Sequence, residues 1–292
     1  MSLEYDSQTE LLHAELNEVF GPHRLTPSRH TNQRNHAWLL HSEQGVAAVV
    51  KWYRWLSEDA IAGVIEAERR ARDAGVPVPG VLYRSTSRPL VVYAYVSGEH
   101  RVPDGFEFVD ACAELFVRQL GGLDGFRPMW TPARPLGLPR RAQEAVVNSQ
   151  DRLLGLAISE SWQRLAQLAL DQPAVASHSD WRADNILVHA GQVAAVLDWE
   201  DVVVLPAAEA VGYGAGSLTH SWRETLYRPV ALPPVMRFLE VAARRLTWEP
   251  GAPEMVHARL AALFTCAVRL AEDQHRGRSA VTHEELRATL GG

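Results

Sequence analysis

The segment from Ser177 to Pro206, SHSDWRADNILVHAGQVAAVLDWEDVVVLP, gathers the residue types that handle charged oxygen chemistry. His178, Asp180 and Asn185 stand in the spacing H-x-D-x-x-x-x-N, and Asp198 opens the run Asp-Trp-Glu-Asp. Between them, ILVHAGQVAAVL reads as two short apolar strands about an Ala-Gly-Gln turn, the pattern of a hairpin. A hairpin returns on itself, so Asn185 and Asp198 come to the same end. One amide and one carboxylate there supply oxygen ligands for a hard, octahedral cation such as Mg²⁺. Asp180, five residues ahead of Asn185, projects near the same place.

A second signal lies far upstream. Lys51, in AAVVKWYRW, is the only lysine in the chain, and the other 28 basic residues are arginine. Lysine is a compact point charge on a flexible stem, and arginine is a planar fork; the two are not interchangeable at a defined site. Phosphoryl transfer from ATP needs an acid that orients and deprotonates the acceptor hydroxyl. It also needs oxygen ligands for Mg²⁺ and a cation on the nucleotide phosphates. Asp180 fits the first role, Asn185 and Asp198 the second, and Lys51 the third. His178-Ser179-Asp180 offers triad residue types, but neighbours on one turn cannot line up as nucleophile, base and orienter, which argues against a hydrolase. His23, His30, His36 and His41 have no compact ligand spacing and read as scattered surface histidines.

These residues need elements to hold them. His36 to Leu40 and Val46 to Trp55 are β-rich runs around the turn-like Ser42-Glu43-Gln44-Gly45, which puts Lys51 on the second strand of a hairpin. SEDAIAGVIEAERRARDAG follows as a helix with Ser57 as N-cap and Gly75 as its stop, because the VPVP run at 76–79 cannot continue it. VLYRS and PLVVYAYV are two more strands, the second ending at Ser97-Gly98-Glu99. Helical patterns then take over: FEFVDACAELFVRQL, a region over 141–170, and most of the chain from 216. The Pro-, Gly- and Trp-rich stretch 121–139 reads as a long loop. Together with the acids Glu200, Asp201 and Glu209 it is the candidate wall of an acceptor pocket. Trp181 and Trp199 fit that wall or the core equally well.

Composition bounds the alternatives. At 292 residues, 47% hydrophobic and 22% charged, the chain has the make-up of a globular protein. A net charge of −6, most of it after residue 96, argues against general nucleic-acid binding. The two cysteines, Cys112 and Cys266, are in no metal spacing and suit a reducing compartment. No stretch has the uninterrupted apolar length of a membrane span, and the acidic opening MSLEYDSQTELLHAEL lacks a signal-peptide core. The expectation is a cytoplasmic protein without membrane or nucleic-acid partners.

The ordered set VVKWY, AGVPVPGVL, VVYAYVSGE, SHSDWRADNILV and VLDWED resembles the aminoglycoside phosphotransferases and choline-kinase-like small-molecule kinases, relatives of the protein kinases. The resemblance covers residues from about 24 to about 215. It implies an α+β, two-lobed protein-kinase-like fold, with a small β-rich nucleotide-binding lobe over 1–96 and a larger, mainly helical catalytic lobe over 97–292. It implies ATP and Mg²⁺ as cofactors and a small-molecule hydroxyl as acceptor. By the same resemblance Asp180 is the catalytic base, with His178 supporting its loop, and Asn185 and Asp198 bind the metal. Backbone groups of Tyr93, Ala94, Tyr95 and Val96 meet the adenine, and RHTNQRNHAW is the loop over the phosphates. The glutamate that pairs with Lys51 is Glu66 by the family's distance to VPVP. It is Glu68 by helix face, since Glu68 shares the inward side with Ile61, Val64 and Ile65; Glu68 is favoured.

Two positions depart from the antibiotic kinases: Ser179 stands where they have glycine, and LPAAEAVG offers Glu209 where an aspartate is usual. Both bear on the acceptor more than on the reaction. An antibiotic-type phosphotransferase is therefore the first reading, and a metabolic kinase for an amino alcohol, sugar or amino acid the second. A nucleotide-binding pseudokinase is the third, and a retained base argues against it.

Overall fold

The computed structural model describes residues 2–28, 35–100, 105–128, 152–168, 173–178, 180–226 and 232–275. The chain is α+β, and it divides into two compact units. One comprises Met1–Ile65 and Pro79–Val96, the other Glu66–Val78 and Ser97–Gly292.

The first unit is built on a five-stranded antiparallel sheet in the order β1-β2-β3-β5-β4. Its strands are β1 (Arg24–Pro27), β2 (Asn35–Ser42), β3 (Gly45–Tyr53), β4 (Val81–Arg84) and β5 (Leu90–Ala94). The β2–β3 hairpin forms where the alternating pattern puts it, with Ser42 opposite Gly45 and a bulge between Leu40 and His41. Ala48 and Val50 of β3 are buried with Trp38, Leu40, Leu90 and Val92 on one face. Strand alternation then turns Lys51 and Tyr53 to the other face.

Helix α1 (Ser2–Phe20) closes the apolar face of this sheet with Leu12 and Leu16, both fully buried. The acidic opening of the sequence thus forms a packed helix rather than a bare terminus. Leu12 and Leu16 are one helical turn apart, so they lie on the same stripe. Burying each stabilises the unit by about 1.5–3 kcal/mol. Glu15 fixes the helix laterally: its carboxylate accepts from Tyr83 Oη at 3.0 Å and from Arg88 Nη1 at 2.6 Å.

Helix α2 (Glu58–Asp73) begins where Ser57 Oγ accepts from the Ala60 amide at 3.3 Å. It ends at Gly75, whose φ of 83° is a left-handed stop that favours glycine. The Val76 amide reaches back to the Ala71 carbonyl at 3.0 Å, satisfying one of the helix's last acceptors.

The second unit holds α3 (Phe106–Gly122), α4 (Arg152–Leu168), α5 (Ala207–Leu226), α6 (Leu232–Leu246) and α7 (Pro253–His275). Two antiparallel strand pairs accompany them. β6 (Ala174–His178) pairs with β9 (Val202–Pro206), and β7 (Ile186–His189) with β8 (Gln192–Val196). Helix α5 starts nine residues before the expected 216, directly from β9. It packs tightly because its contact face is glycine: a Cβ at Gly212 would run into the Ala258 carbonyl of α7, and one at Gly216 would sit 2.7 Å from Thr265 Cβ. Asp110 of α3 takes both arms of Arg237 on α6, each at 2.6 Å. That guanidinium holds the Asp110 carboxyl below its ordinary range. Cys112 and Cys266 are buried free thiols, and burial pushes Cys266 up to about 12, so neither is a nucleophile at neutral pH. Among the described residues no helix is long and apolar enough to cross a membrane.

Candidate active site

The site in the second unit starts at the end of β6. His178 pairs with Val202 across the ladder, and the chain then leaves the sheet through Asp180. The amide of Arg182 donates to the Asp180 carbonyl at 2.9 Å, and a 3-10 turn over Ala183–Asn185 turns the chain into β7. Asn185 is buried, and its Nδ2 donates twice to Asp180: to the carbonyl at 2.9 Å and to Oδ2 at 3.1 Å. Its Oδ1 accepts no hydrogen bond from any described residue, so the amide presents an oxygen suited to a metal ion.

The hairpin then does what its sequence requires. β7 and β8 pair from Ile186 opposite Val196, and the Leu197 amide donates to the Asn185 carbonyl at 2.8 Å. Asp198 follows at once, in the left-handed region (φ 60°, ψ 53°). A non-glycine residue there is uncommon, and aspartate is among the types that tolerate it. It heads a second 3-10 turn, Trp199–Asp201, that leads into β9.

His178 is fully buried and ties the two halves of this arrangement together. Its Nε2 lies 3.0 Å from the Leu197 carbonyl, which can only accept, so Nε2 carries the proton. Burial lowers the histidine's pKa, with Asp180, Asp198 and Glu200 pulling the other way. A neutral imidazole in that position holds the backbone one residue before Asp198. Its ring also lies over Trp199, with centroids 4.9 Å apart.

Several expected wall residues are packed inside. Trp181 is buried edge-on against Phe116 at 5.3 Å, and Trp199 is buried with Nε1 donating to the Val196 carbonyl at 3.0 Å. Glu200 is buried, and Glu209 is buried beside His257 of α7 at 3.5 Å. The apolar residues around them on α5 and β9 carry them inward, so Glu209 is no pocket wall. Of the stretch 121–139, only residues to 128 are described. The loop 29–34, at the start of RHTNQRNHAW, lies outside the described residues, as do 141–151 and Ser179.

In the first unit, Lys51 sits on the central strand, opposite Ala37 on β2 and Val91 on β5. Its Nζ lies 5.0 Å from the Tyr53 ring centroid, and Tyr53 Oη shares a 2.8 Å hydrogen bond with Tyr93 Oη. Strand β5 stops at Ala94, short of the expected end, because the backbone changes partners. The Ala94 amide donates to the Gly80 carbonyl at 2.7 Å and the Tyr95 amide to Ala47 at 3.3 Å. Among the described residues the Val96 amide has no such partner, which leaves it as the amide able to meet a base.

The two candidate glutamates of α2, Glu66 and Glu68, differ sharply. Glu66 is partly exposed and accepts from Arg69 Nε and Arg70 Nε, each at 2.8 Å. Those two guanidiniums hold its carboxyl down at about 2. Glu68 is buried, at 4% exposure. Among the histidines read as surface residues, His36 is instead buried, edge-on to Trp38 at 5.9 Å. Among the described residues no three His, Cys, Asp or Glu side chains gather as a metal cage. Mg²⁺ needs none, since it binds through one or two protein oxygens with waters and phosphates.

One residue at this site has no signal in the local sequence. Arg269, on α7, donates from Nη2 to Asp180 Oδ1 at 3.0 Å.

No curated protein matches the chain in sequence. Solved structures share its fold. An amicoumacin kinase in complex with AMP-PNP, Ca²⁺ and Ami aligns at a TM-score of 0.68 and 14% identity, covering 99% of this chain and 93% of the other. A GDP complex of aminoglycoside 2'-phosphotransferase-IIIa aligns at 0.57 and 16%, covering 98% and 95%. A choline/ethanolamine kinase family protein from Mesorhizobium loti aligns at 0.59 and 15%, covering 98% and 92%. At such identities the likeness is one of fold, that of the protein-kinase-like phosphotransferases. The family model described as the phosphotransferase enzyme family matches residues 28–232, about seven-tenths of the length, and spans both Lys51 and the Ser177–Pro206 island. The chain belongs to the phosphotransferase enzyme family.

Proposed function

We propose that this phosphotransferase moves the γ-phosphoryl group of ATP to a hydroxyl of a small molecule, with Asp180 as the base. The observation that carries the reading is the bond from Asn185 Nδ2 to Asp180 Oδ2, because it joins the base to a metal-ligand oxygen in one side chain. Asn185 and Asp198 are the residues that would hold Mg²⁺. When bound, the ion would neutralise charge on the nucleotide phosphates. Asp180 orients the acceptor hydroxyl and takes its proton as the oxygen attacks. His178 keeps the Asp198 backbone in place.

Lys51 is the cation on the phosphates, and Glu68 is its carboxylate partner. Glu66 is already committed to Arg69 and Arg70 on an exposed surface, whereas Glu68 is buried on the inward side of α2. The backbone from Tyr93 to Val96 receives the base. The divisions 1–96 and 97–292 serve nucleotide and acceptor respectively. The AMP-PNP and divalent ion in the amicoumacin kinase support the choice of nucleotide and metal class. A cytoplasmic setting follows from the need for ATP and from two unpaired thiols.

The test is ADP release from Mg²⁺-ATP over a panel of hydroxyl acceptors, with Asp180→Asn as control. Acceptor-stimulated release that the control abolishes supports the proposal. Equal release by both proteins overturns it, and so does a failure to bind ATP.

A further inference from the structure

The carboxylate of Asp180 has a partner that the Ser177–Pro206 island does not supply. Arg269 comes from α7, 89 positions away, and donates from Nη2 to Oδ1 at 3.0 Å. On the other oxygen, Asn185 Nδ2 donates to Oδ2 at 3.1 Å. The side chains of Arg269 and Asp180 are only 13% and 25% exposed, so the pair sits within the fold. Accepting Asp180 as the base, we propose that Arg269 is a positioning residue for phosphoryl transfer: it fixes the direction of the Asp180 carboxylate and acts through that carboxylate alone.

A carboxylate held at one oxygen still turns about its Cβ–Cγ bond, which is a soft and broad torsion. Donors on both oxygens, from two different elements, remove that freedom. The hold from Asn185 is local: the same Nδ2 also donates to the Asp180 carbonyl at 2.9 Å, so it moves with the turn. Arg269 supplies a reference from outside the turn, and α7 is itself fixed. Thr265 and Cys266 precede Arg269 by one helical turn, on the face packed against α5. A Cβ at Gly216 would sit 2.7 Å from Thr265 Cβ, and Cys266 Sγ donates to the Gly216 carbonyl at 3.9 Å. Residues three and four apart share a helix face, so Arg269 leaves α7 from this closely packed side. Each carboxylate oxygen accepts two hydrogen bonds, so a lone pair remains on each for the acceptor hydroxyl. Catalysis of phosphoryl transfer is almost entirely positioning and electrostatics, so the direction in which the base meets that hydroxyl governs kcat. As a source of stability the pair is weak, because desolvation offsets the attraction of partly buried charges.

A double-mutant cycle separates positioning from structure. Arg269→Met keeps the side chain's length and removes its donors and charge, while Arg269→Lys keeps a donor. The acceptor is the panel hydroxyl with the highest Asp180-dependent rate, or water, through slow hydrolysis of ATP. Arg269→Met should lower kcat about 10–100-fold, the scale of a small misplacement at the reacting centre. KM for ATP and for the acceptor should change less than about threefold. Arg269→Lys should recover part of kcat. Added to Asp180→Asn, Arg269→Met should cost less than about twofold further in single-turnover rate, because the carboxylate it orients is already gone. A crystal structure of Arg269→Met with Mg²⁺-AMP-PNP should show the Asp180 carboxylate turned from its bond to Asn185 or split between two orientations.

Equal losses in the two backgrounds overturn the inference, as does a change confined to KM. So does an Asp180 carboxylate that stays in place in the variant crystal, a reading that needs no turnover. Should Arg269→Met fold poorly, Arg269→Lys carries the same cycle: a loss in kcat that vanishes in Asp180→Asn supports the inference, and one of equal size in both overturns it. Failure of the kinase reading is separate: it appears as acceptor-dependent ADP release unaffected by Asp180→Asn, or as no binding of AMP-PNP.

Discussion

The two units position their key residues by different means. In the first, Lys51 is placed by ladder register alone: a central strand, regular neighbours on both sides, and a helix sealing the opposite face. In the second, Asp180 lies off the end of a strand, and almost every bond that fixes it involves a side chain. Asn185 holds one oxygen, Arg269 the other, and His178 secures the backbone next to Asp198. A ladder is redundant, and a single side chain seldom controls it. A side-chain network has no spare members. Substitutions should therefore act on stability in the first unit and on chemistry in the second.

The largest expected effect is that of Asp180→Asn. The variant should fold, since amide and carboxylate have the same shape. It should lose about 10²–10⁴-fold in kcat, the usual contribution of a positioned base. A loss of thermal stability large enough to explain the fall in activity would erase the contrast between the units. Next is Leu16→Ala, which empties a fully buried position between α1 and the sheet. It should cost about 2–5 kcal/mol in denaturant unfolding and leave kcat per folded molecule unchanged. Lys51→Arg should keep the melting temperature and lose about 10–100-fold in kcat/KM, about 1.4–2.7 kcal/mol of barrier. A fully active Lys51→Arg protein would return the lone lysine to an accident of composition.

The smallest effect concerns Asp110 and Arg237. The folded-state pKa of Asp110 is lowered, so its contribution is complete above the unfolded carboxylate pKa of about 3.9 and fades as pH falls through the folded value. Both side chains are about a third exposed, which limits the pair to about 1 kcal/mol or less. Asp110→Asn should thus be slightly less stable than wild type at pH 7, and the gap should close in acid unfolding curves as pH falls below the ordinary carboxylate range.

Much of this was legible before any coordinates. Alternating apolar residues marked β2 and β3, Ser57 and Gly75 bounded α2, and the Ala-Gly-Gln turn fixed the hairpin that carries Asn185 towards Asp198. What escaped had weaker local signals. Helix α1 has a polar opening, and among its described side chains Leu12 and Leu16 form the buried stripe. Strands β6 and β9 pair across the whole hairpin between them. The fates of Trp181, Trp199 and Glu209 depended on which helices cover them. The arginines at i+3 and i+4 from Glu66 are visible in sequence, but that one carboxylate holds both is a fact of the structure.

The sequence by itself determined the family and the residues able to do its chemistry, because turn, cap and hairpin signals act over a few positions and bring Asp180, Asn185 and Asp198 close without help. The tertiary structure alone decided what surrounds Asp180. Arg269 reaches Asp180 because α7 packs against the glycine face of α5, and no short-range rule connects positions 89 apart. The cation beside Asp180 is a property of packing, not of spacing.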